Sequence, residues 1–411
     1  MRRVATDTPS DDTLRHDRRA TWIELFFDLV AVAGIGQLTH VLHHGPSLGD
    51  FALYVLLYLA FWLAWASVTL YGDIAYDHIR LPLMLAAMLG VGLMAAAVPG
   101  MPARHATTFA AVYVIVRVVL SQVWGRGRIV VDWPIAQLGA GVTPWIISLW
   151  VPEPWKFWLW ALGLTIDTWG MFAINGDRMM TRMQHELDRR LGRSPRFEGR
   201  ELPKITALHV DSEHLGERLG LYVIIVLGEG VIALITALGD TGWGARVLAL
   251  GFGGFTILAG LWALTLNFGP VLRLLTGDVS PTLVPGPHRM AMHCWLTGAI
   301  ATIAAGLGLC LAHPRGHLPA GVGWALCGGT AAYFLVTAVT GARSGLGWRW
   351  ALRWPLPAAV IAVILGALGP HLGPIWLVYG IVALIAGALM VETRAAGLWH
   401  RRSRTARPGR V

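Results

Sequence analysis

The strongest constraint on this chain is a succession of apolar stretches, each close to the length of a bilayer crossing and joined by short polar connections. Hydrocarbon offers no water to backbone N–H and C=O groups, so such stretches must close their hydrogen bonds internally, as helices. A crossing takes about 20 mostly apolar residues. Twelve segments approach that length: 23–43, 50–72, 81–99, 105–125, 134–151, 155–175, 218–238, 245–268, 289–312, 318–341, 354–369 and 374–392. They predict an all-α integral membrane protein, a polytopic bundle of about 12 transmembrane helices. The short fifth segment, and the last pair divided only by "GPHLGP", are open to a re-entrant reading that leaves ten or eleven.

Composition points the same way, with 55% hydrophobic and 14% charged residues and a mean hydropathy of +0.56. The net charge of +9 raises the question of a nucleic-acid partner. The basic residues, however, fall between apolar segments and build no continuous patch, so none is expected. Topology explains them better: with a cytoplasmic N-terminus, 28 of the 33 Lys and Arg residues lie in the inside loops and tails. Outside lie only Arg104, Lys156, Arg246 and Arg315, while Arg117 sits within a helix. That bias predicts both termini in the cytoplasm. Trp22, Trp133, Trp348, Trp350 and Trp354 cluster near expected span ends, as an aromatic belt requires.

Cys294, Cys310 and Cys327 lie in apolar segments without a CxxC or Cys/His spacing, so neither disulfides nor a zinc site is expected. The first 20 residues carry five arginines and no apolar core before a small-residue cleavage site, which argues against a removable signal peptide.

The expected organisation is a polar cytoplasmic tail (1–20), a first six-helix half (21–175), a cytoplasmic basic loop (176–212), a second six-helix half (213–392) and a basic tail (393–411). The loop contains "RMMTRMQHELDRRLGRSPRFEGRELPK", readable as a basic helix on anionic headgroups or as a solvated linker. Two short matches hint that the halves repeat. "WASVTLYG" (65–72) ends the second span and "WALTLNFG" (262–269) the eighth, and Glu24 and Glu217 open the first and seventh. Copies six spans apart share an orientation, which predicts parallel repeats about an axis along the membrane normal.

Ionisable groups at membrane depth are expensive and are functional candidates for that reason. Five stand out here: Glu24 and Asp28 in the first span, Arg117 in the fourth, Asp167 in the sixth and Glu229 in the seventh. At about 100° per residue, Glu24, Asp28, Ile35 and Thr39 share one stripe, so both acids face the same neighbour. A structural alternative puts Glu24 in the headgroup layer and pairs Asp28 with Arg117. Arg218 and Glu229 are three turns apart on one face, roughly 16 Å along the axis, which places Glu229 near mid-membrane. A carboxyl that binds and releases a proton there suits a relay or an ion site. As a plain interhelical hydrogen-bonding group it would add only modestly to packing.

His214, Glu217 and Arg218 are expected together at a cytoplasmic mouth, either as the opening of a path towards Glu229 or as helix capping with a surface ion-pair network. His40, His43 and His44 have i, i+3, i+4 spacing but no nearby acid or cysteine, and read as an exposed outer loop. His293, inside the ninth span, is a better metal candidate than these three, but reads more readily as a satisfied core histidine. There is no HExxH, GxSxG, Walker A or Rossmann pattern, and no cofactor is implied.

The stretches "ELFFDLVAV" (24–32), "MLGVGLMAAAVP" (88–99) and "EHLGERLGLYVIIVLGEGVIAL" (213–234) give the chain its resemblance to the bacterial low temperature requirement A (LtrA) proteins. The third is the most specific: His214, Glu217, Arg218, Gly220, Leu221, Gly228 and Glu229 fit the family's His-x-x-Glu-Arg-x-Gly-Leu-x-x-Ile-x-x-Leu-Gly-Glu pattern. The chain departs from it at "LYGDIAYDH" (70–78), where the family usually has an Asn-Arg-Phe-Asp-like run, and at Asn267, often an acid. The resemblance implies a multi-pass protein of the bacterial plasma (inner) membrane whose loss impairs growth in the cold in some bacteria. It implies no settled activity.

Three functions therefore compete. The leading one moves a proton or small cation, or a solute coupled to one, with Asp28 and Glu229 as carriers, Arg117 as counter-charge and His214, Glu217 and Arg218 as the cytoplasmic gate. A membrane enzyme or lipid-modifying factor would need acids and histidines gathered at headgroup level. A sensor or scaffold would act through the basic loop. Beyond the lipid bilayer itself, the partner expected is a proton or small cation; the oligomeric state is left open.

Overall fold

The computed structural model describes residues 20–42, 46–75, 81–121, 128–130, 139–173, 176–192, 206–208, 210–268, 271 and 284–405. The described residues are mostly helical. Helix α1 (Trp22–Gly36) runs on into a 3-10 turn (Gln37–Leu42), and α2 (Leu48–Ala75), α3 (Leu81–Ala97) and α4 (Ala106–Ser121) follow. A seven-residue α5 (Val142–Ser148) leads to α6 (Trp155–Ala173) and α7 (Gly176–Gly192). Then come α8 (Ser212–Asp240), α9 (Ala245–Ala263) with a π turn (Leu264–Phe268), α10 (Gly286–Ala312) and α11 (Ala320–Gly341). The series closes with α12 (Gly347–Arg353), α13 (Pro355–Leu368) and α14 (Pro374–Thr405). A short parallel pair, Arg128–Val130 with Thr206–Leu208, is the one strand pairing among the described residues.

Eight of these helices are long and apolar enough to cross a membrane, and α6 with α7, bent by 90° where they meet, would make a ninth broken span. Of the expected fifth span, 134–151, residues 134–138 lie outside the described residues, and the described helix is seven residues long. Helices α4 and the α13 segment are apolar but short.

The pattern of burial is that of a bilayer protein. Large apolar side chains such as Leu85, Leu89 and Leu93 on α3 and Val360, Ile361 and Ile364 on α13 are exposed, while Glu24, Asp28, Asp73, Arg117, Asp167, His214 and Arg218 are buried. Lipid solvates the first group as well as a core would; ionised side chains find partners only inside the bundle. Helix α10 is the most enclosed of the eight, with 83% of its apolar stretch buried. Small residues let its neighbours approach: at Gly306 the backbone of Leu326 on α11 occupies the space a Cβ would need. On another side Tyr58 of α2 donates a hydrogen bond to the carbonyl of Cys294 at 2.6 Å and lies 2.8 Å from the Thr297 hydroxyl.

Candidate functional site

Helices α1 and α8 pack against each other in parallel. Near their starts Glu24 meets His214 and Arg218, and near the end of α1 Gly36 meets Glu229. Both helices therefore ascend together, and the chemistry is laid out along their seam.

At the lower level Glu24 accepts hydrogen bonds from the backbone N–H of Thr21 (2.9 Å) and its hydroxyl (2.8 Å), the carboxylate half of a capping box that starts α1. The same carboxylate lies 3.5 Å from Arg218 Nη1 and 3.5 Å from His214 Nε2. On its other side His214 Nδ1 bonds to Asp73 of α2 at 2.7 Å, and Asp73 accepts from the backbone N–H of Asp211 at 2.8 Å. Asp211 is the N-cap of α8, its own side chain accepting from the N–H groups of Glu213 and His214. One turn further along α1, Asp28 Oδ1 accepts from Arg218 Nη2 at 2.6 Å and from the indole N–H of Trp65 at 2.7 Å. Glu24, Asp28, His214 and Arg218 are all 0–1% exposed.

Above the charges sits an aromatic layer. Tyr222, one turn above Arg218 on α8, packs on Trp65 with ring centroids 4.1 Å apart, and His293 of α10 stacks on Trp65 at 5.4 Å. His293 accepts from the Trp62 indole N–H and donates through Nε2 to the Leu219 carbonyl at 3.2 Å, the satisfied core histidine expected. At this boundary Asp28 Oδ2, Arg218 Nε and the Tyr222 hydroxyl are buried without a hydrogen-bond partner among the described residues.

Above the aromatics opens a cavity of about 490 Å³ between the far halves of α1, α8 and α10. Glu229 lines it, half-buried, and no hydrogen bond or ion pair to its carboxylate is found among the described residues. Gly36 makes its place: a Cβ there would collide with the Glu229 carboxylate. Gly36→Ala is accordingly expected to lower stability by about 1–3 kcal/mol, and Glu229→Ala in the same chain to restore most of the loss. Thermal unfolding midpoints of the two single variants and the double variant measure this; purely additive losses would show that the two positions do not share space.

The structure redraws several expected partnerships. Asp28 pairs with Arg218, not Arg117. Arg117 instead binds Asp167 at 2.8 Å and the Ser67 hydroxyl at 2.6 Å, and Asp167 also accepts from the Gly141 N–H at 3.1 Å. The expected mouth divides: His214 and Arg218 turn inward, while Glu217 is exposed and accepts from the Ala20 N–H at 3.2 Å. Asp28 does not line the cavity that holds Glu229. His40 lies on the cavity rim, and His43 and His44 lie outside the described residues. Sequence reasoning missed Asp73, Trp65 and Tyr222. Asp73 had a signal, an acid closing an apolar span; the two aromatics had none, because ring stacking depends on which helices are neighbours.

An uncharacterised protein of Rhizobium meliloti (strain 1021) is 28% identical over 236 residues, covering 53% of this chain, which itself spans about half (50%) of that relative's length. No solved structure matches the chain. The pattern of the bacterial low temperature requirement A protein (LtrA) matches residues 19–391. With nearly its whole length matched and a bundle of membrane-length helices, this multi-pass helical membrane protein belongs to the LtrA family.

Proposed function

We propose that the chain is a transport-type membrane protein that moves a proton or small cation, or a solute coupled to one, along the seam of α1 and α8. The observation that carries this reading is the stacking of carboxyl groups at three depths on one seam, Glu24 and Asp28 in a sealed network and Glu229 in an open cavity. A buried acid that only strengthened packing would be fully paired. Glu229 is not, and Asp28 keeps one oxygen free of partners among the described residues at the aromatic boundary.

In this reading a proton or cation reaches Glu229 from the cavity, and Trp65, Tyr222 and His293 separate it from Asp28 until the helices shift. Arg218 is the counter-charge that balances Asp28. His214, held between Glu24 and Asp73, passes protons to and from the inner end. The basic residues orient that end towards the cytoplasm of the bacterial plasma membrane, with both termini inside. Amphipathic α7, turned 90° from α6, would then lie along the inner headgroups. The parallel seam of α1 and α8 suits two six-helix halves, and about 12 crossings if the short helices also span. The repeat is imperfect, since Trp65 is buried and its counterpart Trp262 is 46% exposed. An enzyme at the inner cluster is less well supported, because Glu24, Asp73, His214 and Arg218 are each no more than 4% exposed and a substrate could not touch them.

The test is flux in proteoliposomes, followed as pH change and as charge movement. Wild type is expected to carry a proton or alkali-cation flux, and Glu229→Gln to reduce it at least tenfold, about 1.4 kcal/mol or more in barrier, with the unfolding midpoint unchanged. Asp28→Asn should also abolish flux, judged against its folded fraction. Absence of proton, sodium or potassium flux from wild type would remove the transport reading.

A further inference from the structure

We infer that the cavity beside Glu229 is a binding site for a small organic ammonium ion, an amine with a short apolar body. This deepens the transport reading by naming its solute class, and rests on it for the step of movement.

Size is the first argument. About 490 Å³ is far more than one dehydrated ion fills, since a water molecule's share of liquid volume is ~30 Å³. It lies within the roughly 300–1,000 Å³ of small-molecule pockets. The space is built into α10, where Ala301, Ala304, Ala305, Gly308 and Ala312 recur every three or four residues and put small side chains against the cavity.

Chemistry is the second. The walls are mainly apolar, with Val32, Ile35, Val226 and Ala233 beside the alanines. The lining holds two acids, Glu229 and, three turns further along at the end of α8, Asp240; its other polar groups are Gln37, Thr39, His40, Thr236 and Thr241. Calcium or magnesium would require about six or more oxygens, and among the described residues no group of three or more His, Cys, Asp or Glu side chains could hold a metal ion. An anion would be repelled by the carboxylate. An ammonium group needs one good charged acceptor, and its hydrocarbon body gains from apolar walls. Gly36 adds a positional argument, because the clearance it leaves is where the carboxylate sits as it faces the cavity.

The probe is n-butylammonium chloride, titrated by calorimetry into the full chain in lipid nanodiscs, with n-butanol and sodium butyrate as matched neutral and anionic bodies. Saturable butylammonium binding is expected, at least tenfold tighter than butanol, without measurable butyrate binding. Glu229→Gln should weaken it at least tenfold. Ala233→Leu, which fills the cavity but keeps the carboxylate, should weaken it as well. Equal binding of butanol and butylammonium, or no saturable binding to wild type, would overturn the inference. If alkali-cation or proton flux persists while butylammonium fails to bind, the solute class is wrong and the transport reading stands. Binding without flux of any cation upholds the site and removes transport.

Discussion

Arg218→Met is expected to lower the unfolding free energy by about 3–5 kcal/mol, the loss typical of removing one partner from a buried ion pair. The side chain is 0% exposed, and its guanidinium reaches Asp28 at 2.6 Å and Glu24 at 3.5 Å. Without it two carboxylates of α1 remain in the interior with, among the described residues, His214, Thr21 and Trp65 to bond them. Methionine preserves much of the volume, so the loss reports charge more than packing. Arg218→Lys should recover part of the difference, since an ammonium restores the charge but cannot fork between two acids. Adding Asp28→Asn to Arg218→Met should recover more, because it removes the acid left most exposed to the loss. Denaturation in detergent micelles, followed by tryptophan fluorescence, measures all four proteins. A loss below about 1 kcal/mol for Arg218→Met, the scale of exposed ion pairs, would show that the pair does not hold α1 to α8.

For Arg117→Met a fall of similar size, about 3–5 kcal/mol, is expected. Its guanidinium ties Ser67 of α2 to Asp167 of α6, and Asp167 in turn holds the N–H of Gly141 just before α5. One arginine on α4 thus braces three neighbouring segments. Replacing the pair together, as Arg117→Met with Asp167→Leu, should restore most of the stability, since apolar substitutes of similar volume often match a buried ion pair. The two clusters have no charged partner in common, so the Arg117 and Arg218 losses should add to within about 0.5 kcal/mol. Function separates them further. Flux per folded molecule should survive the Arg117/Asp167 double replacement, because this pair lies off the α1–α8 seam. Loss of flux with the fold intact would return Arg117 to the path.

The contrast with Glu229 shows which part of the candidate site was legible beforehand. That Glu24 and Asp28 share a face, and that Arg218 and Glu229 share another three turns apart, follows from helical periodicity, and the structure seats both faces on one seam. That Asp28 has Arg218 as its partner was not legible: Arg117 is also an arginine within an apolar segment, and nothing local to either residue distinguishes them. Glu217 misled for the opposite reason. It adjoins Arg218 in sequence, but a step of about 100° per residue turns it to the exposed side of α8, where it accepts from Ala20.

By itself, then, the sequence determined the class of the fold, its family and the depth of each charge along its helix. These rest on hydropathy, spacing and local motifs, which act over a few turns of one segment. Tertiary structure alone decided which charges meet, that Trp65, Tyr222 and His293 close the space above Asp28, and that small residues of α10 leave a cavity around Glu229. Each of these depends on how helices distant in sequence pack, as when residues 190 positions apart form the Arg218–Asp28 bond. Helix periodicity says which way a side chain faces; only packing says what it faces.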